Sequence, residues 1–146
     1  MLDQAQLRRQ EYTARINRVM DYVRDHLTGD LRLETLAAVA NFSPYHFHRL
    51  FKSLVGETVN EYVRRRRCAA AASKLIYNPR LTVTKIATQC GFGSPSSFAR
   101  DFRAAFGMSA SQFREGGKRS IEEVRARNES AASWEAARPR PTRTEM

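Results

Sequence analysis

Two stretches of this chain, residues 31–62 and 81–113, decide its fold: LRLETLAAVANFSPYHFHRLFKSLVGETVNEY and LTVTKIATQCGFGSPSSFARDFRAAFGMSASQF. They align at an offset of 50 residues as far as Phe42 and Phe92, and at an offset of 51 after Gly93. The aligned pairs include Leu36 with Ile86, Ala37 with Ala87, Phe47 with Phe98, Arg49 with Arg100, Phe51 with Phe102, Gly56 with Gly107 and Tyr62 with Phe113. Matching over roughly thirty positions predicts an internal structural repeat.

Each copy of the repeat predicts a helix, a tight turn and a second helix. Asn41 in the first copy and Gly91 in the second stand where the turn needs a left-handed backbone, which Asn and Gly tolerate best. A Ser-Pro pair follows in both copies, at residues 43–44 and 94–95. Serine caps a helix and proline suits its first turn, so the second helix begins there. A helix-turn-helix is the interpretation, and a plain helical hairpin is the alternative.

The segment between the copies, residues 58–77, predicts one long helix. Thr58 and Glu61 form a capping-box pattern at its start. A helix of this length is about 30 Å long, close to the about 34 Å of one turn of B-DNA. Within residues 64–67, we expect Arg66 to be partly packed and paired. We expect Arg64, Arg65 and Arg67 to face solvent or phosphate.

The charge of the chain is concentrated in one segment. The net charge is +10, and residues 43–116 carry +8 of it. Such a basic stretch is typical of proteins that bind nucleic acid. On charge alone, a membrane surface and simple solubility remain alternatives.

Several other classes find no support in the sequence. The chain has no apolar run long enough to cross a bilayer and no apolar segment typical of a secretion signal. Its two cysteines, Cys68 and Cys90, are expected to be reduced and packed. His46 and His48 diverge by about 200° on a helix, which excludes a shared metal ion. No catalytic motif is present, so we expect a protein that is not an enzyme and binds no cofactor or metal. From the missing membrane and secretion segments we expect it to be cytoplasmic and not bound to a membrane.

Residues 86–114 resemble the signature of AraC/XylS-type bacterial transcription regulators. The matching residues are Ile86, Ala87, Gly91, Phe92, Phe98, Arg100, Phe102, Arg103, Gly107, Ser109, Phe113 and Arg114. The resemblance covers roughly residues 12–116. It implies an all-α fold of about seven homeodomain-like helices, with two helix-turn-helix subdomains joined by a linker helix. It further implies an asymmetric double-stranded DNA site, binding as a monomer more often than as a dimer, and activation through RNA polymerase.

Three residues depart from the expected pattern. Ala110 stands where the family has proline, which predicts a looser helix start. Arg32 stands where Thr82 caps the second copy, so the second helix is expected to begin frayed. In the helix that follows the turn, the second copy has Asp101 where the first copy has Leu50. An acid at this place in the recognition helix, the helix expected to enter the DNA groove, repels phosphates unless an arginine neutralises it.

The resemblance also assigns DNA-contacting residues. Its base-reading positions fall on Tyr45, His48, Arg49, Ser96, Ser97 and Arg100. Arginine can bind guanine through two hydrogen bonds, whereas serine reads little. We therefore expect the first helix to supply most of the specificity and the second to anchor. The expected phosphate contacts are Ser43, Lys52, Arg65, Ser94, Arg103 and Arg114. Alternatives are that Arg49 and Arg100 brace a neighbouring helix and that Tyr45 packs on the subdomain edge.

The expected organisation has five parts. They are a flexible N-terminus (1–9), a first subdomain (10–57) whose first helix spans about Gln10 to Leu27, a linker helix (58–78), a second subdomain (79–116) and a partly helical to disordered tail (117–146). Many family members carry a ligand-sensing domain, for which this chain has no room. It is either a stand-alone regulator or part of a longer protein.

Three hypotheses follow. The first is a sequence-specific transcription regulator, expected to be an activator. The second is a nonspecific DNA-compacting protein. The third is a module whose basic face docks an acidic protein such as a polymerase subunit.

Overall fold

The computed structural model describes residues 1–116, which form seven α-helices. The helices are α1 (Gln4–Asp25), α2 (Leu33–Ala40), α3 (Pro44–Val55), α4 (Val59–Tyr77), α5 (Val83–Gln89), α6 (Pro95–Phe106) and α7 (Ala110–Gly116). No strand occurs in this part of the chain, and none of its helices is long and apolar enough to cross a membrane. The expected all-α, seven-helix fold is confirmed. The tail expected at residues 117–146 lies outside the described residues.

Two separate apolar cores organise these helices, one for each copy of the repeat. The first core packs α1, α2 and α3 against the start of α4, where Val63 is its last member. The second core begins at Cys68 and packs the rest of α4 against α5, α6 and α7. α4 therefore belongs to both cores. This arrangement confirms two helix-turn-helix units joined by a long linker helix.

The turns of the two units have the same backbone design. Asn41 and Gly91 both adopt a left-handed backbone, with φ of 59° and 93°. The residue after each donates its N–H to the carbonyl five positions earlier, Phe42 to Ala37 at 3.0 Å and Phe92 to Ala87 at 3.1 Å. The side chains of Ser43 and Ser94 then cap α3 and α6, and each helix has proline in its first turn. The repeat seen in the sequence is thus a repeat in geometry.

α1 begins earlier than the sequence suggested and also ends earlier. It runs from Gln4 to Asp25, so residues 4–9 are helical rather than the expected flexible N-terminus. A capping box explains this start, because Asp3 accepts from the Gln6 N–H at 2.8 Å and Gln6 Oε1 accepts from the Asp3 N–H at 2.9 Å. None of residues 4–11 is buried, so no apolar periodicity marked this turn in the sequence.

The two helix starts that depart from the family pattern are both held by side chains. Arg32 provides no side-chain cap for α2, as expected. Instead, Asp30 accepts from the Arg32 side chain at 2.9 Å and from the Thr35 hydroxyl at 2.8 Å. These bonds hold the pKa of the Asp30 carboxyl well below its usual range. At α7, Ser109 and Gln112 form a reciprocal capping pair in front of Ala110. Neither start is therefore frayed in the structure.

Both cysteines lie in the second core. Cys68 and Cys90 are free thiols, 1% and 0% exposed. Burial raises the pKa of Cys68 to about 12 and also raises the pKa of Cys90. The expectation that both thiols are packed is confirmed.

Candidate nucleic-acid interface

The outer surface of α3 presents a row of polar side chains to solvent. Phe47, Phe51 and Val55 point into the first core, so the opposite face of the helix is free. The exposed residues of this reading face of α3 are Tyr45, His46, His48, Arg49, Lys52 and Ser53. The face is thus built by helical periodicity, with aromatic, imidazole and cationic groups side by side. Such groups can contact base edges and phosphates in a major groove.

Tyr45 and Arg49 form a pair at the centre of this face. The Tyr45 side chain is 72% exposed, so it does not pack against the subdomain edge. Arg49 Nη1 donates to the Tyr45 hydroxyl at 3.3 Å, and the guanidinium lies 5.6 Å from the centre of the Tyr45 ring. Arg49 is therefore held by a neighbour on its own helix and not by an adjacent one. Arg49 is exposed, and this bond uses one of the five guanidinium donors, whereas bidentate contact with guanine requires two.

The two histidines of α3 have different surroundings. The ring of His46 lies 5.8 Å from that of Tyr12 and 4.9 Å from that of Phe42, both in edge-on geometry. His46 thus joins α1, the turn and the start of α3. His48 is exposed on the reading face. Within residues 1–116, no group of three or more His, Cys, Asp or Glu side chains is placed to hold a metal ion.

The corresponding face of α6 is smaller and more internally bonded. Ser96 and Arg100 are exposed, as are Ala99 and Arg103. The Ser97 hydroxyl donates to the Ser94 carbonyl at 3.1 Å, so part of its hydrogen-bonding capacity is used inside the first turn. Arg100 Nε lies 3.4 Å from an oxygen of Asp101. The second face therefore offers fewer free groups for base contact than the first.

Four of the six expected phosphate contacts lie on the surface of these two helices. Lys52 and Arg103 are exposed at equivalent places near the ends of α3 and α6. Ser43 and Ser94 are exposed N-caps whose side-chain oxygens already accept from the N–H groups of His46 and Ser97. The Ser94 hydroxyl also lies 3.1 Å from that of Ser97. A phosphate at either N-terminus would meet a favourable helix dipole.

Arg65, an expected phosphate contact, is engaged within the protein. Its side chain is 14% exposed and its Nε donates to Glu57 at 3.2 Å. The guanidinium also lies 5.3 Å from the centre of the Tyr62 ring. A guanidinium paired and stacked in this way holds α4 against the end of α3. Sequence reasoning missed this because Glu57, eight residues away, lies outside the helix.

Arg114, another expected phosphate contact, is also engaged within the protein. Its guanidinium donates to the carbonyls of Leu75, Asn78 and Leu81, at 3.1, 3.4 and 2.7 Å. These carbonyls belong to the end of α4 and the loop before α5, where helical partners run out. Arg114 therefore braces that loop.

Arg67 braces a loop of the first unit in the same way, a role that was not predicted from the sequence. It was expected to face solvent or phosphate. Instead its Nε donates to the carbonyl of Leu27 at 3.0 Å and its Nη2 to that of Gly29 at 3.2 Å, in the loop between α1 and α2. One signal was available, because Arg67 follows Val59 and Val63 at intervals of four on the buried stripe of α4. Of its neighbours, Arg64 is exposed and Arg66 is half-buried, as expected for Arg66.

Comparison with known proteins gives one family and several relatives. A family model described as a helix-turn-helix domain matches residues 36–116. The transcriptional activator AarP of Providencia stuartii is 35% identical over 99 residues, which cover 68% of this chain and 73% of AarP. The regulator YbfP of Bacillus subtilis is 32% identical over 103 residues, which cover 70% of this chain and 35% of YbfP.

Solved structures agree with the sequence relatives. The DNA-binding domain of the global transcriptional factor AdpA, in complex with a target DNA, superposes with a TM-score of 0.65 at 30% identity. The match covers 77% of this chain and 94% of that domain. This chain therefore spans most of AarP and of the AdpA domain but about a third of the longer YbfP.

Proposed function

We propose that this chain, which belongs to the AraC-type family of helix-turn-helix transcription regulators, inserts α3 and α6 into successive major grooves of a bipartite site. It would act there as a sequence-specific DNA-binding regulator. One observation carries this proposal. Two equivalent exposed helices are mounted on opposite ends of a single α4 of 19 residues. At 1.5 Å per residue α4 is about 28 Å long, close to the about 34 Å between major grooves on one face of B-DNA.

The two helices are assigned different roles. Tyr45, His48 and Arg49 on α3 contact base edges, and Arg49 binds a guanine through two hydrogen bonds. On α6, Ser96, Ser97 and Arg100 distinguish bases less and serve more to hold the protein on the DNA. The reason is that the Ser97 hydroxyl is bonded to the Ser94 carbonyl and Arg100 is paired with Asp101.

The backbone contacts fall on the flanks of these helices. Lys52 and Arg103 bind phosphates, and Ser43 and Ser94 offer hydroxyls at the helix N-termini. Arg65 and Arg114 are left out of this set, because their guanidinium groups are engaged within the protein.

The regulator is further proposed to bind double-stranded DNA as a monomer and to activate transcription through RNA polymerase. The presence of both helices in one chain supports the first point, since a single copy then needs no second copy to contact two half-sites. The description of AarP as an activator supports the second.

Selection from a random duplex library with the purified chain tests the proposal. At about physiological salt, we expect two enriched blocks about one helical turn apart. Arg49→Ala should erase the stronger block, whereas the matched loss of an exposed charge in Arg64→Ala should leave both. Enrichment of a single block would show that α6 only anchors.

A nonspecific DNA-compacting protein is the second candidate. The observation that favours it is the Arg100–Asp101 pair, which reduces the cationic character of the second face. In that case the selection would enrich no motif, and binding would still fall steeply with salt.

A further inference from the structure

We infer that Arg67 and Gly91 form an inter-subdomain joint that fixes how α6 is held relative to α3, and so sets the half-site spacing that the protein accepts. The inference rests on the proposed bipartite function. Arg67 acts as a positioning residue, because its contacts are with the protein and not with DNA.

The joint is centred on the carbonyl of Leu27. This residue follows α1 and belongs to the first unit. Arg67 Nε donates to the Leu27 carbonyl at 3.0 Å while Nη2 donates to that of Gly29 at 3.2 Å. Two bonds from one planar fork fix the loop in both position and orientation, which a single ammonium group does not do.

The turn of the second unit closes on the same carbonyl. A Cβ built on Gly91 would lie 1.9 Å from the Leu27 oxygen and 2.8 Å from Arg67 Nε. Gly56 has the same φ of +93°, yet a Cβ there would meet nothing within 4 Å. The glycine at position 91 is therefore required by close approach as well as by its backbone angle. The α1–α2 loop, the linker helix α4 and the turn of the second unit therefore all meet at the Leu27 carbonyl.

This contact lies beside the stretch of α4 that belongs to neither apolar core. Val63 is the last member of the first core and Cys68 the first member of the second. The four arginines between them belong to neither core, so the two units are not joined there by shared apolar packing. A lateral contact beside the helix axis adds a second constraint on the relative orientation of the two units, besides the helix itself, which by its nature can still curve gently.

Spacing preference is the property that such a joint controls. One base pair moves a half-site by about 3.4 Å and rotates it by about 35° around the duplex. A rigid pair of units accepts one spacing and loses affinity at the others, whereas a hinged pair adapts at an entropic cost.

The test measures binding to duplexes whose half-sites, taken from the library selection, are separated by the selected spacing, one base pair fewer or one more. We expect the wild-type chain to lose at least about tenfold in affinity at either altered spacing, and Arg67→Ala to reduce that penalty to about threefold or less. Arg64→Ala removes one positive charge from an exposed place on the same helix and should keep the wild-type penalty. Circular dichroism first confirms that each variant retains its helix content.

Distance measurement without DNA provides the second readout. Spin labels at Ser53→Cys and Ala104→Cys, both exposed and equivalent in the repeat, should give a narrow distance distribution that broadens in Arg67→Ala. An unchanged width in Arg67→Ala would overturn the joint, because the joint predicts that the width and the spacing penalty both change. If the wild-type chain shows no spacing penalty, the bipartite function itself is wrong. If that penalty exists and survives Arg67→Ala, only the joint is wrong.

Discussion

The side chain of Arg100 lies beside the carboxylate of Asp101, its own neighbour in α6, with Nε 3.4 Å from the acid. The Asp101 side chain is 13% exposed and that of Arg100 is 75% exposed, so the acid is largely buried while the cation remains open to solvent. In α3 the equivalent of Asp101 is Leu50, and Arg49 instead donates to a tyrosine. The two recognition helices therefore present equivalent arginines in different electrostatic states.

Neutralising that acid should strengthen DNA binding. In Asp101→Asn the Arg100 guanidinium loses its intramolecular pair, and one negative charge leaves the vicinity of the phosphates. Because the Arg100 end of the pair is open to solvent, we take its worth as up to about 1 kcal/mol and expect roughly a two- to fivefold gain in affinity. Fluorescence anisotropy with the selected duplex measures it. Unchanged affinity would mean that Arg100 does not reach DNA.

Arg49→Ala and Lys52→Ala should fail in different ways. Loss of a bidentate base contact costs about 1–3 kcal/mol at the preferred base pair and relaxes specificity there. Loss of a phosphate contact weakens binding to all sequences alike and lowers the slope of affinity against salt by about one. Titrations with the selected duplex and with single-base variants at several salt concentrations separate the two. If Lys52→Ala changed base preference, its assignment as a phosphate contact would be incorrect.

Gly56→Ala and Gly91→Ala form a matched pair for stability. Both glycines have φ of 93°, so each alanine incurs a left-handed backbone penalty of about 1–2 kcal/mol. Gly91→Ala must in addition displace the Leu27 carbonyl, so it should cost at least about 1 kcal/mol more. Urea denaturation followed by circular dichroism gives both values. Equal costs would show that the Gly91 turn can move away from the α1–α2 loop.

Arg114→Ala should destabilise the fold without a direct effect on DNA contact. It leaves the carbonyls of Leu75, Asn78 and Leu81 without the donor that they share, at a cost of about 2–3 kcal/mol. Arg103→Ala serves as control, since an exposed side chain typically contributes within about 0.5 kcal/mol. Thermal unfolding of the two variants should differ accordingly. If Arg103→Ala weakened DNA binding and Arg114→Ala did not, the division between interface and brace would stand.

The buried thiol of Cys68 makes stability depend on alkaline pH. Its pKa is raised from an ordinary 9.0 to about 12 in the folded protein. Between these values the unfolded chain loses the thiol proton while the folded chain keeps it, so the free energy of unfolding should fall as pH rises from 9.0 towards about 12. Cys68→Ala should show a shallower decline in urea denaturation over that range. A decline of equal slope in both proteins would contradict the shift.

The helical framework could be predicted because its determinants are local. Asn41, Gly91 and the two Ser-Pro pairs each act within a turn, and the apolar spacing around them marks the buried faces of the helices. The start of α1 escaped because residues 4–11 bury nothing, although the Asp3–Gln6 capping pair was present in the sequence. Its detection needed attention to caps rather than to periodicity.

The roles of the arginines could be predicted only in part. Arg49, Lys52 and Arg103 lie on exposed helix faces that periodicity identifies. Arg67 and Arg114 bind backbone carbonyls that lie 33 to 40 residues away in the chain. A carbonyl has no sequence identity, so no residue pattern announces its partner. Only the folded path of the loops shows which cations are used internally.

Because α4 is shared between two cores, it is also the element through which unfolding of one unit reaches the other. Loss of the first core would release residues 59–63 from packing, and the helix would fray towards Cys68, where the second core begins. The amide hydrogens between Val63 and Cys68 should therefore exchange with solvent at the rate set by the weaker unit, whichever it is. Those near Leu75 should follow the second unit alone. The amide exchange rates along α4 therefore show how the total stability is divided between the two halves of the protein.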